Sequence, residues 1–272
     1  MRFAEIVADK IDKLPPLPDT VLKIENICND ESCSVQDLVK VVELDPILTA
    51  KILKVANSPY YGFTSKIANV SRAIALLGMK TILTFAMDMA LKGHFKKIDL
   101  SPYSLKVEEF RDSSFKQNRL MMIWHISLNL KNSDYLVPAS FLSDLGKIII
   151  AEIINESGLK DEFSNKVQNA KTIDDIYKIE REYIGHSSLE TTGKILYKWR
   201  LNIKFILPII GAEFPEKSDD SIQPYSYALK IVKVAIGHRG KITKSSVTDA
   251  LKLMENTNFN KKNFLMAVKR LK

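Results

Sequence analysis

Three observations predict an all-α fold. Ten glycines in 272 residues leave few turns. No segment alternates apolar and polar residues between turn signals, as a half-buried strand does. Apolar residues instead recur three and four apart along most of the chain, the spacing that lines them up on one face of a helix.

The elements follow in order. Phe3, Ile6/Val7, Ile11 and Leu14 predict a first helix that stops at Pro15-Pro16. "LPDTVLKIENICND" restarts the period, with Val21, Ile24 and Ile27/Cys28 on one face. "SVQDLVKVVEL" opens with Ser34 and Asp37, a capping box in which side chain and backbone satisfy each other at a helix start. In "DPILTAKILKVANS", Asp45 is an N-cap, Pro46 takes the first helical position, and the helix ends at Asn57-Ser58-Pro59. A loop, "NSPYYGFTSKIANV", leads to a short helix, a break at Gly78 and a second helix. A long helix is expected from about Lys106 to Lys131, with Phe110, Phe115, Leu120 and Trp124 apolar. "PASFLSDLGKIIIAEIINE" begins at Pro138 and is apolar nearly all round, so it is expected to be a central buried helix carrying one polar pair, Ser143-Asp144. "TIDDIYKIEREYIG" and "SSLETTGKILYKWRL" follow, the second opened by another capping box, Ser187 and Glu190. "IKFILPIIGAEF" precedes a polar break at Pro215–Pro224, and two or three more helices close the chain.

Composition narrows the function classes. A chain that is 46% hydrophobic and 26% charged can bury a core and is not disordered. The most apolar runs, such as "TILTFAMDMAL" with its Asp88, are too short to span, so no membrane insertion is expected. The N-terminus has acidic residues inside its apolar pattern, unlike a signal peptide, and the expected location is cytoplasmic. Cys28 and Cys33 lack a second pair to complete a zinc site and read as two separate thiols. The net charge of +8 invites a nucleic-acid partner. Lysine dominates, however: 32 lysines against 8 arginines, scattered and without interleaved aromatics. That pattern points to a solvated surface rather than a phosphate track. No phosphate loop, dinucleotide fingerprint, nucleophile elbow or H-E-x-x-H occurs.

The stretch from Leu14 to Gly78 carries the strongest motif signal. Its elements are Leu17-Pro18, Asp45-Pro46, Leu48, Leu53, Ala56-Asn57-Ser58, Tyr61, Ala73-Ile74 and Leu77-Gly78. Together they resemble the HDOD domain, an HD-related output domain of bacterial signalling. The likeness continues more weakly through Trp124 and Ser127, "FLSDLGK" and "EREYIG…TTGKILYKWRL" to about Ala212. It implies an HD-like helical bundle: an HDOD domain over 1–214, with an N-terminal helical subdomain to about 100 and a degenerate HD-like part over 101–214. A C-terminal helical extension, 215–272, would pack on it. All the short motifs have an architectural reading as helix starts and stops. Pro59, Tyr60 and Tyr61 are candidates for an exposed interaction spot, the alternative being that one ring packs inward.

The resemblance also frames the chemistry. HD-type phosphohydrolases fix divalent metals with a first His, a His-Asp pair and a later Asp, and the metals activate water and clamp phosphoryl oxygens. The histidines here are His94, His125, His186 and His238. The first ligand position falls at Ile126, with His125 one place early. The His-Asp pair reads Ser143-Asp144. A later position falls at Leu189 or Ser188, with His186 displaced, and the final Asp at Ile236, with His238 displaced. One carboxylate cannot hold a catalytic divalent ion tightly. Asp144 is then a helix-interior group bonded locally or paired with Lys147 three residues on. Ser143, Asp144, Lys147 and His125 are the candidates for a remnant pocket. The expectation is a non-enzymatic regulatory module without metal or cofactor, acting on unidentified signalling proteins, with a small anionic or nucleotide ligand as an option. The alternatives are a residual HD-superfamily phosphohydrolase or phosphodiesterase, and a basic nucleic-acid-binding protein.

Overall fold

A computed structural model describes residues 3–59, 61, 63, 65–95 and 98–271, without side-chain detail at 3, 4 and 94. Every regular element among them is helical. The chain divides into two units, Pro15–Lys96 and Met1–Leu14 together with Lys97–Lys272. Numbered along the chain, helix α1 (Phe3–Asp12) belongs to the larger unit and α2 to α6 make up the smaller. The sequence places a subdomain border at about 100, but it does not foresee that the first helix joins the second unit.

The smaller unit holds α2 (Asp19–Asn29), α3 (Val35–Glu43), α4 (Pro46–Ala56), α5 (Val70–Leu77) and α6 (Met79–His94). Helix α2 packs on α3 and α6, and α4 packs on α5 and α6. Val21, Ile24, Leu38, Leu48, Ile52, Ile74 and Phe85 fill the core. The caps form as the sequence predicts. Ser34 and Asp37 make the capping box, and Asp45 accepts from the Ile47 and Leu48 amides at 3.0 Å each. Asn57 does more than end its helix. Its amide donates to the Leu53 and Ile67 carbonyls and its oxygen accepts from the Ile67 amide, pinning both ends of the intervening loop. Gly78 joins α5 to α6 with φ of 82°, a left-handed value that favours glycine. Asp88, which interrupts the apolar run, is buried and ion-paired with Lys51. No single helix among the described residues is long and apolar enough to cross a membrane.

In the larger unit the 3₁₀ turn Ser101–Tyr103 precedes α7 (Val107–Trp124). Then come α8 (Leu136–Leu142), α9 (Gly146–Ser157), α10 (Lys160–Asn169), α11 (Ile173–Ile184), α12 (Ser188–Lys198) and α13 (Ile203–Gly211). The chain closes with α14 (Gln223–Ile236), α15 (Lys244–Leu253) and α16 (Lys261–Leu271). Helix α14 packs against α7, α8, α13 and α15, and α16 packs against α7. Trp124 lies edge-on to Phe259 and Phe264 from the last segment, with ring centres 5.5 and 4.9 Å away. The residues after Pro215 are therefore part of this unit's core, not a separate body beside it. Lys198 donates to the Ile11 carbonyl at 2.7 Å, satisfying the free end of α1.

Two expected helices are interrupted. The long helix stops at Trp124, seven residues before Lys131, where a 3₁₀ turn over His125–Leu128 runs into Asn129 at φ of 54°. The central apolar helix is two helices, α8 and α9, with Ser143, Asp144 and Leu145 in a turn between them. In that turn Leu145 and Lys147 donate to carbonyls three residues back, at 3.1 and 3.0 Å. Apolarity all round reports burial, and it does not distinguish one buried helix from two short ones.

Candidate functional site

The break between α8 and α9 presents Ser143 and Asp144 to the interior of the larger unit. Thr192 of α12 holds the turn: its hydroxyl accepts from the Gly146 amide at 2.8 Å and lies 3.2 Å from the Ser143 carbonyl. Asp144 is 4% exposed. Its Oδ1 meets the ammonium of Lys147 at 2.7 Å and that of Lys233, from α14, at 2.9 Å. Its Oδ2 accepts from the Gln117 amide of α7 at 2.8 Å. Lys233 also donates to the Ser143 hydroxyl at 3.0 Å, and that hydroxyl lies 3.3 Å from the Gln117 oxygen. Helices α7, α9 and α14 thus converge on one carboxylate.

Glu180 of α11 belongs to the same buried cluster. It accepts from the Tyr103 hydroxyl at 2.8 Å and from the Ser188 amide at 2.5 Å. The Lys147 ammonium lies 6.0 Å from the centre of the Tyr103 ring. Burial alone would raise the Asp144 carboxyl. The charges of Lys147 and Lys233 and the Gln117 hydrogen bond outweigh it and hold the group far below the usual carboxylate range. Burial lowers the Lys233 ammonium against the pull of Asp144. For Glu180 burial wins: its carboxyl is pushed up to about 7 against the Lys147 charge and its two hydrogen bonds.

That shift sets a pH dependence. A carboxyl raised from 4.5 to about 7 binds more protons in the folded chain than in the unfolded one. Its contribution to stability is complete below the unfolded value and is lost as pH rises through the folded one. His238, lowered to about 4, works in the opposite sense over nearly the same range, so the difference between proteins carries the test: the urea midpoint of Glu180→Gln relative to the unchanged protein is expected to rise between about pH 5 and pH 7.5. A difference that does not change with pH would assign the dependence to other groups.

The structure brings together three of the sequence candidates, Ser143, Asp144 and Lys147, but not His125. His125 lies eight residues beyond Gln117, about 12 Å along a helix axis. Its Nδ1 faces the Ser133 hydroxyl at 3.3 Å instead. The aligned ligand positions also fall elsewhere. Ile126 is 79% exposed, so the α7 residue facing Asp144 is Gln117, two turns before Trp124. Ile236 is core, and α14 reaches the site through Lys233, one turn earlier. Ser188 is buried and serves Glu180. His186 pairs with Lys194 at 2.7 Å on the surface side of α12. His238 does reach the cluster, lining a cavity of about 10 Å³ with Gln117, Asp144, Lys147 and Lys233. The His94 side chain lies outside the description. Of the proposed interaction spot, Pro59 is exposed and Tyr60 falls outside the described residues. Tyr61 turns its ring toward the core residue Phe85 at 6.3 Å.

An HD-type metal set does not fit these side chains. Both oxygens of the single surviving carboxylate face donors, and two of those donors are cations. Among the described residues no group of three or more His, Cys, Asp or Glu stands where it could hold a metal.

The chain belongs to the HDOD family, whose domain matches residues 14–213. It is similar to the crystal structure of a virulence factor from Campylobacter jejuni, at 26% identity and a TM-score of 0.57 over 97% of this chain and 94% of that one. It shares its fold with a protein provisionally named a phosphohydrolase from Shewanella amazonensis, at 19% identity and a TM-score of 0.70 over 98% and 93% of the two chains. A curated but uncharacterized protein of Treponema pallidum is 28% identical over 79 residues, a match to 29% of this chain and only 15% of that protein's length.

Proposed function

We propose that this protein is a non-catalytic regulatory module of the HDOD type, acting by contact with partner proteins. The observation that carries the reading is the pair of buried ammoniums on Asp144. A divalent metal at that carboxylate would sit against two fixed positive charges, and the repulsion in a poorly screened interior is large. Lysines 147 and 233 supply the neutralising charge that a cation supplies in a working HD site. Without a metal there is no activated water and no clamp on a phosphoryl group. The Ser143 hydroxyl has the Lys233 amine 3.0 Å away, but that amine is engaged as an ammonium by Asp144 at 2.9 Å, so it stands there as a donor and not as a free base. The family itself supports a signalling role. The Shewanella neighbour, at 19% identity, supports the fold and not its named activity.

The test is the metal content of untagged protein by plasma mass spectrometry, followed by incubation with bis(p-nitrophenyl) phosphate and added manganese. The expected result is substoichiometric metal and no release of p-nitrophenol. One equivalent of bound transition metal with turnover that Asp144→Asn abolishes would falsify the reading.

A further inference from the structure

A cleft of about 600 Å³ opens beside the Asp144 cluster. Its walls come from the segment entering α11, the end of α14 and the length of α15. Ile173, Val234 and Leu253 give it an apolar side, while Lys171 and Lys252 stand on its polar side. Its volume is that of an ordinary small-molecule site. Ile173, Gly237 and His238 line both this cleft and the 10 Å³ cavity that ends on Asp144, Lys147 and Lys233. The inner cavity has room for about one water.

We propose that this cleft binds a small organic phosphate. Its ring or other apolar body would lie against Ile173, Val234 and Leu253, and its phosphate would point to the His238 end.

The charge around the cleft favours an anion. Behind His238, two buried ammoniums face the ionised Asp144 and, further back, Glu180, which at about 7 is only partly ionised near neutral pH, so a positive surplus remains. The acidic groups of the cleft are already engaged, Asp174 with Lys230 at 3.1 Å and Asp249 with Lys252 at 3.1 Å. Lys171 is exposed on the rim, where it adds a further positive charge. His238 is a neutral donor at pH 7, since burial together with the Lys147 and Arg239 charges lowers it to about 4. Its Nε2 accepts from the Arg239 guanidinium at 3.2 Å, which leaves Nδ1 to carry the proton. An anion at this end would lie against the His238 ring, with the field of Lys147 and Lys233 behind it. The apolar wall gives a reason for an organic phosphate over a bare inorganic one.

This inference rests on the non-hydrolytic reading only for the fate of the ligand, so the experiment separates the two. The full chain is titrated calorimetrically with phenyl phosphate and, in parallel, with inorganic phosphate, and phenol is assayed in the same samples. One site is expected for phenyl phosphate, with inorganic phosphate about tenfold weaker or more. Val234→Trp, which fills the apolar side, and Lys171→Glu are each expected to weaken binding about tenfold. Lys178→Glu, on α11 but outside the cleft, should leave it unchanged. Lys171 is exposed, so its variant keeps the test decisive if Val234→Trp fails to fold. Absence of binding, binding that ignores both cleft variants, or equal affinity for inorganic phosphate would each overturn the assignment. Release of phenol by a protein that loses binding with Lys171→Glu would uphold the site and overturn the non-catalytic reading.

Discussion

Alanine at Asp144 is expected to destabilise the protein by about 3–5 kcal/mol, the range for a buried ion pair stripped of one partner. The carboxylate is the common counterion of Lys147 and Lys233, and both ammoniums are about as buried as it is. Removing it leaves two like charges near one another in a poorly screened interior, together with a Gln117 amide left only its long bond to the Ser113 hydroxyl, at 3.4 Å. Lys233→Met is expected to cost much less. It leaves Asp144 paired with Lys147, removes a charge whose burial is itself unfavourable, and keeps the volume of the side chain. Urea titrations of the two variants check the order. If Lys233→Met proved as damaging as Asp144→Ala, Asp144 would not be the hub of the cluster. The double variant Asp144→Leu with Lys233→Met should recover part of the loss, because an apolar replacement of both partners leaves only Lys147 to be accommodated.

The contrast also explains what the sequence reveals of this site and what it hides. Ser143, Asp144 and Lys147 sit in one short stretch, and a spacing of three places lysine beside aspartate across a single turn. Lys233 lies 90 residues away in sequence, and nothing local marks it as a partner. A signal does exist, since Lys230 and Lys233 interrupt the otherwise apolar "YALKIVKVAI", and a lysine on a buried face needs a counterion. Gln117 carries a similar mark. Phe110, Gln117 and Trp124 are spaced by sevens, so a polar amide shares the stripe of two inward-facing aromatics. Placing the first ligand position two residues after Trp124 instead leads to Ile126, beyond the point where α7 gives way to a 3₁₀ turn. Counting by residue assumes a continuous helix, and the turn invalidates the count.

Fold class, most helix starts and the capping boxes at Ser34 and Ser187 are legible because each depends on residues within one or two turns. The division of the chain is less so. The polar stretch Pro215–Pro224 looks like a border, yet it connects α13 to α14 inside one unit. Polarity there reports a solvent-facing connection. Whether the flanking helices share a core depends on long-range packing, such as Trp124 on Phe264. The same limit hides His238: its displacement from an aligned position matters less than the end of α14, which delivers it to the wall shared by the two cavities.

Gly146→Ala is the second large effect expected, and its sign runs against helix propensity. Within an exposed helix, alanine in place of glycine gains about 1 kcal/mol. At the first residue of α9 a methyl group would lie 2.1 Å from the Ser188 carbonyl oxygen and 2.8 Å from the Thr191 Cβ. The obstacle is the backbone of α12, which no rotamer change can move. Helices α9 and α12 would have to separate. The Thr192 hydroxyl that receives the Gly146 amide and the Ser188 amide bonded to Glu180 would move with them. A loss of about 3 kcal/mol or more is expected, at or beyond the upper end for overpacking. Gly193→Ala is the matched control. Its methyl group would meet Ile210 side-chain carbons at 2.5 Å, but that side chain is 39% exposed and free to turn aside. Its cost should stay near 1 kcal/mol or below. Thermal unfolding of the pair distinguishes an obstacle in the backbone from one in a side chain. Equal losses would mean that α9 and α12 are not held in the close approach on which the Ser143-Asp144 turn depends.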